Sequence, residues 1–227
     1  MRGGVRFLRD NGLTLAFGTA FLLSLAGQAV AGCAETNTVL KAQKMATLPL
    51  ADYVLTSDFM VDVTENWQSE FLQFFLFIFG TVWLVQRGSP ESKPLDRIGT
   101  ESDEDQKVGR YATAESPRWA SVGGLRQTLF SRSLGLVMGL IFLLSWLAQS
   151  VTGLVTYNEE QLRELQEPLS WSTYISSAEF WNRTLQNWQS ELLAVASMVV
   201  LSVYLRQRGS PESKPVGSAH TATGVEG

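Results

Sequence analysis

Three separated blocks of this 227-residue chain recur at a single offset of 121 residues. Asn66-Trp67-Gln68-Ser69-Glu70 returns as Asn187-Trp188-Gln189-Ser190-Glu191, and the nine residues Gln86 to Pro94 return letter for letter as Gln207 to Pro215. Phe21-Leu22-Leu23-Ser24 returns as Phe142 to Ser145, and Gln28 and Gly32 are matched by Gln149 and Gly153. A constant offset across separated blocks means two homologous halves with no net insertion between them. The fold question therefore becomes how two similar bodies pack.

Each half holds two apolar runs. Leu13 to Ala31 and Leu134 to Val155 contain no charge. Phe71 to Val85 and Leu192 to Leu205 are shorter, and reach spanning length if their helices begin at Trp67 and Trp188. About 20 residues at 1.5 Å rise cross the hydrocarbon of a bilayer. The runs lack the alternation of strands, and backbone groups in lipid require helices or closed barrels. The predicted fold is an all-α membrane protein with four transmembrane helices, near residues 13–31, 67–85, 134–155 and 188–205. Each half contributes two crossings, so both enter the bilayer in one direction. They are parallel repeats related by a pseudo-two-fold axis along the membrane normal. Gly18, Ala20, Ala26, Gly27 and Ala29 on the first helix would let helix backbones approach closely in a four-helix bundle.

The charged residues fill the spaces between these runs. Arg2, Arg6 and Arg9 precede the first helix, and Arg206, Arg208 and Lys214 follow the fourth. The central connection carries Arg87, Lys93, Arg97, Lys107, Arg110, Arg118, Arg126 and Arg132. Only Lys41, Lys44, Arg163 and Arg183 lie in the other two connections, among many acidic residues. The positive-inside rule then puts both termini and the central connection in the cytoplasm of a multi-pass inner-membrane protein. Residues 1–94 form the first repeat, 95–121 a flexible cytoplasmic linker, 122–215 the second repeat and 216–227 a disordered tail. Aromatic segments at Ala51–Glu65 and Ser172–Gln186 read either as short amphipathic helices at the interface or as irregular loops.

The single cysteine, Cys33, excludes an internal disulfide and any CxxC site, and the only histidine, His220, lies in the C-terminal tail. No metal or cofactor is expected. There is no Gly-rich phosphate loop, HExxH or GxSxG, so an enzyme is not expected. No basic patch points to nucleic acid. Val30-Ala31-Gly32-Cys33 also fits the small-residue pattern before a lipidated cysteine. Its counterpart in the mid-chain helix, Phe142 to Gly153, favours a retained helix instead.

Between Asn66–Pro94 and Asn187–Pro215 the apolar stretch 71–85 keeps only Leu72, Val82 and Leu84, whereas both flanks are identical. Lipid rewards only apolar character, so the fixed ends need particular side chains. Counted in helical rise, Gln28 and Glu70 lie at one depth, as do Gln149 and Glu191. A partly buried carboxylate needs hydrogen-bond donors or takes up a proton. The expected arrangement is a polar clasp of each Glu with its Gln, anchored at the interface by Trp67 and Trp188. The alternative makes Glu70 and Glu191 an acidic pair that binds a cation or relays a proton. The nine-residue block reads as a helix stop with Gly and Pro, or as a paired cytoplasmic docking surface of Arg87, Lys93, Arg208 and Lys214.

The succession Asn-Trp-Gln-Ser-Glu, an apolar span and Gln-Arg-Gly-Ser-Pro-Glu-Ser-Lys-Pro resembles an uncharacterised family of bacterial integral membrane proteins, a domain of unknown function. Asn11-Gly12-Leu13 and Tyr157-Asn158-Glu159-Glu160 are similar to that family's pattern, and Cys33-Ala34-Glu35 departs from it. The resemblance implies a bacterial membrane location and no activity. The expectation is a structural or partner-binding protein whose partners are the lipid bilayer and a protein partner or a second copy. The alternative is a small channel or transporter subunit using Glu70 and Glu191.

Overall fold

The computed structural model describes residues 2–225, with side chains from Arg6 onward. Glu226 and Gly227 of the expected tail, and the Arg2 side chain of the basic arm, lie outside the described residues. Among the described residues the chain is helical and contains no strand. In chain order the helices are α1 (Arg2–Asp10), α2 (Gly12–Ala42), α3 (Leu50–Tyr53), α4 (Ser57–Trp83), α5 (Arg118–Ser121), α6 (Gly124–Ser131), α7 (Ser133–Arg163), α8 (Trp171–Tyr174) and α9 (Ala178–Tyr204). A 3-10 turn at Gly109–Tyr111 lies in the central connection. The bounds of α7, α8 and α9 fall 121 residues after those of α2, α3 and α4, the offset of the sequence repeat.

The long helices outrun their apolar runs. α2 and α7 have 31 residues each, about 46 Å at 1.5 Å per residue, against a hydrocarbon thickness near 30 Å. Nothing breaks α2 after Ala31 until Lys44, which turns left-handed at φ 58°; Met45 N–H then bonds to the Leu40 carbonyl at 2.8 Å. Leu165 does the same after α7, at φ 59°, with Gln166 N–H on the Gln161 carbonyl at 2.8 Å. These bonds satisfy the orphan carbonyls of a helix end. The segments read as interfacial helices or loops divide instead. A four-residue helix is followed by a break, and the remainder forms the first turns of α4 and α9. The break is a cap: Thr56 Oγ1 accepts from Phe59 N–H at 3.3 Å, and Ser177 Oγ from Phe180 N–H at 3.2 Å.

Of the four expected spans, α2 and α7 are long and apolar enough to cross a membrane. The described residues fall into two compact units, and their boundary does not follow the repeat. One comprises residues 2–63 and 155–168, the other 64–154 and 169–225. The first unit packs Ala29 and Cys33 of α2 against Tyr53, Phe59 and Val63. Cys33 is a buried free thiol inside α2. Beyond it Asn37 clamps the returning loop, its Nδ2 donating to the Leu48 carbonyl at 2.8 Å and its Oδ1 accepting from Leu48 N–H at 2.7 Å.

Within the second unit the stretch 135–153 of α7 has its polarity reversed. The buried positions of α7 are Gly135, Gly139, Ser145, Gln149, Ser150 and Gly153. Leu136, Leu140, Leu143, Leu144 and Leu147 of the same helix are exposed. Gly135 and Gly139 receive the rings of Phe79 and Phe75 from α4; a Cβ on Gly139 would lie 2.9 Å from the Phe75 ring. Close approach of this kind is what glycine on a helix face permits.

Candidate functional site

Helical spacing gathers a polar seam inside the second unit. Glu65, Gln68, Ser69 and Leu72 share one face of α4, and all four are buried. Arg183, Thr184 and Trp188 occupy the facing stretch of α9. Arg183 grips Glu65 with two bonds, Nε to Oε1 at 2.5 Å and Nη2 to Oε2 at 3.1 Å. Gln149 of α7 donates from Nε2 to the same Glu65 Oε1 at 3.4 Å and to Thr184 Oγ1 at 3.5 Å. Trp188 Nε1 donates to Gln68 Oε1 at 2.6 Å. Gln68 and Thr184 are 0% exposed and Gln149 1%. The cost of burying the Glu65 side chain is offset by its pairing with Arg183 and its hydrogen bonds.

The seam is not saturated. Gln68 Nε2, Gln149 Oε1 and Trp146 Nε1 are buried without a partner among the described residues. Trp146 sits in a ring cluster at its edge, 5.7 Å from Phe142, 6.1 Å from Phe180, 5.9 Å from Trp181 and 5.8 Å from Trp188. Trp171 Nε1 donates to Ser150 Oγ at 3.0 Å. Among the described residues no group of three or more His, Cys, Asp and Glu side chains is placed to hold a metal ion. Chemically the arrangement joins three helices through charge-assisted hydrogen bonds and leaves amide valences open inside.

The expected clasp is redrawn. Gln149 bonds to Glu65 and Thr184, not to Glu191. The reason is depth. α9 begins at Ala178, ten residues before Trp188, so Gln149 is level with Thr184, two turns before Glu191. Glu191 is half-buried and Glu70 exposed, and the two carboxylates are near enough to interact electrostatically. Gln28 lies in the first unit, where it lines a cleft of about 450 Å³ with Glu35, Tyr53, Asp58, Asp62 and Arg163. Glu70 belongs to the other unit. Trp67 is exposed, whereas Trp188 is drawn into the ring cluster and the Gln68 hydrogen bond. Glu65 and Arg183 were not among the expected site residues, because neither is repeated: the positions 121 residues away are Gln186 and Asp62. Their departure from the repeat, beside a block that keeps it, is the signal that marks them.

The nine-residue block folds the same way twice. Gly88 at φ 88° and Gly209 at φ 82° reverse the chain after α4 and α9. Ser92 Oγ accepts from Gln86 N–H, and Ser213 Oγ from Gln207 N–H, both at 2.9 Å. The lysines turn inward. Lys93 Nζ donates to the Gly99 carbonyl at 2.9 Å and pairs with Glu101 at 3.1 Å. Lys214 is 1% exposed and donates to the carbonyls of Gly88, Ala219, His220 and Ala222 at 2.5, 3.3, 2.9 and 3.2 Å. Burial, and secondarily the charge of Arg206, pulls Lys214 below the ordinary lysine range. Lys214, expected on a docking surface, is therefore a strut: it ties residues 219–222 of the expected disordered tail beneath the block. Arg87 and Arg208 are exposed.

No curated protein and no solved structure matches the chain. A family model described as a domain of unknown function, DUF6766, matches residues 4–225. That span holds both repeats, the polar seam and both copies of the nine-residue block, and the chain belongs to this family.

Proposed function

We propose that the chain is a non-enzymatic, multi-pass protein of the bacterial cytoplasmic membrane that acts as a scaffold for a protein partner. In this reading four helices, α2, α4, α7 and α9, span the bilayer as two parallel hairpins related by a pseudo-two-fold axis along its normal. Both termini and the central connection face the cytoplasm. The observation that carries it is the reversed polarity of α7, with leucines outward and Gly, Ser and Gln inward. A helix packed in water buries its leucines; an apolar solvent favours the reverse. The equal lengths of α2 and α7, and of α4 and α9, support the repeat. The sorting of arginine and lysine supports the orientation.

Docking falls to Arg87 and Arg208, exposed at the two copies of the block, since Lys93 and Lys214 are engaged internally. Crosslinking in native membranes followed by mass spectrometry tests this. A protein partner, or a second copy, should be recovered with the wild type and lost with Arg87→Ala/Arg208→Ala. Recovery indifferent to both substitutions would refute cytoplasmic docking. A second reading, ion handling, rests on the proximity of Glu70 and Glu191; it requires a cation or proton flux in reconstituted vesicles that Glu70→Gln abolishes.

A further inference from the structure

Within the second unit a cavity of about 330 Å³ opens between the last turns of α4 and the facing part of α9. Its walls are apolar, with Leu76, Phe77, Val195 and Val199 among them. Its end at the nine-residue block is polar and holds Ser89 and Glu91. Ser89 is 1% exposed, and its hydroxyl has no partner among the described residues. Leaving a buried hydroxyl unpaired is costly, and a ligand that supplies the missing bond recovers that cost. The other copy of the block has no such deficit: Ser210 Oγ accepts from Glu212 N–H at 3.2 Å. At the deep end Gln73 Oε1 is likewise buried and unpartnered.

The head end also has charge to match. The Glu91 carboxyl meets that of Glu212, its counterpart in the repeat. Burial, then the hydrogen bond and charge of Glu212, hold it above the ordinary carboxylate range. No cation pairs with either among the described residues.

We propose that this cavity holds one acyl chain of an inner-leaflet aminophospholipid of the phosphatidylethanolamine type. Its ammonium donates to Ser89 Oγ and Glu91, and its phosphodiester faces the water. Three ammonium donors suit two acceptors and a water, whereas a quaternary choline head has no donor to offer. The inference rests on the membrane reading above, because it needs a lipid chain at the level of α4 and α9.

The test is native mass spectrometry of the full chain released from nanodiscs holding equal amounts of phosphatidylethanolamine, phosphatidylcholine and phosphatidylglycerol. The wild type should retain phosphatidylethanolamine about tenfold over the choline lipid, the value of one charge-assisted hydrogen bond. Glu91→Gln should bring the ratio close to one, and Val195→Trp, which fills the cavity, should abolish retention of any lipid. Equal retention of all three headgroups, no retention at all, or an unchanged preference in Glu91→Gln would overturn the site while leaving the membrane reading intact. A chain that stays in solution and never enters the nanodisc would overturn both.

Discussion

Glu65 of α4 and Arg183 of α9 form a two-pronged ion pair whose repeat counterparts, Gln186 and Asp62, carry one charge between them. The contact of α4 with α9 therefore rests on a pair that the sequence repeat does not duplicate. Being unduplicated, the pair singles out one face of α4 for contact with α9. Polar groups that set register at some cost in stability are a recognised use of such pairs.

Removing Arg183 should cost more than removing the charge of Glu65. Arg183→Leu leaves a buried carboxylate with only the long Gln149 bond, and should destabilise by about 3 kcal/mol. Glu65→Gln, which copies the residue of the second repeat, should cost about 1 kcal/mol. Unfolding of the purified protein in mixed micelles measures both; equal costs would mean that the carboxylate reaches water.

Gln149 gives a finer test of the seam. Gln149→Leu removes two long hydrogen bonds together with an unpartnered carbonyl, so the loss should be small, roughly 1 kcal/mol. Gln149→Glu places a second carboxylate beside Glu65 and should be clearly worse. If the glutamate variant is the more stable of the two, Gln149 does not face Glu65.

Gly139 and Phe75 should behave as one unit. Gly139→Val drives a branched side chain into the Phe75 ring and should destabilise by about 2 kcal/mol. Adding Phe75→Ala should recover part of that loss, so the double variant falls short of the sum of the two single changes. Simple additivity would show that α4 and α7 do not pack through this glycine.

Much of the architecture was readable from the residues, and the reasons differ by element. The repeat predicted paired helices because identity at a constant offset survives drift in the apolar letters. The apolar runs located α2 and α7, but not their ends. Glu35, Asn37 and Thr38 are polar but do not stop α2, and the stop comes from backbone geometry at Lys44. That error in length moved the depth scale, and with it the partner of Gln149. Its charge suggests a docking role for Lys214, and charge alone says nothing about a cage of four carbonyls. Glu65 and Arg183 escaped because attention to what repeats passes over what does not.

Lys214 predicts a pH dependence with a definite sign. Its folded pKa lies below the ordinary value of 10.5. Between the two values the unfolded tail binds more protons than the folded one, so the docked tail gains stability as pH rises through that window. Hydrogen exchange over residues 207–225, corrected for intrinsic base catalysis, should show protection growing as pH approaches 10.5 from below. Lys214→Met should flatten that trend. Protection that falls with pH in the wild type would contradict the lowered pKa of Lys214.

The central claim concerns direction of insertion, and topology reporters read it directly. Fusions of a cytoplasm-active and a periplasm-active reporter should be made after Lys44, Glu104 and Gln166 in the otherwise intact chain. The account predicts cytoplasmic signal at Glu104 and periplasmic signal at Lys44 and Gln166, all in the membrane fraction. A periplasmic signal at Glu104, or a chain recovered as a soluble monomer without detergent, would contradict it.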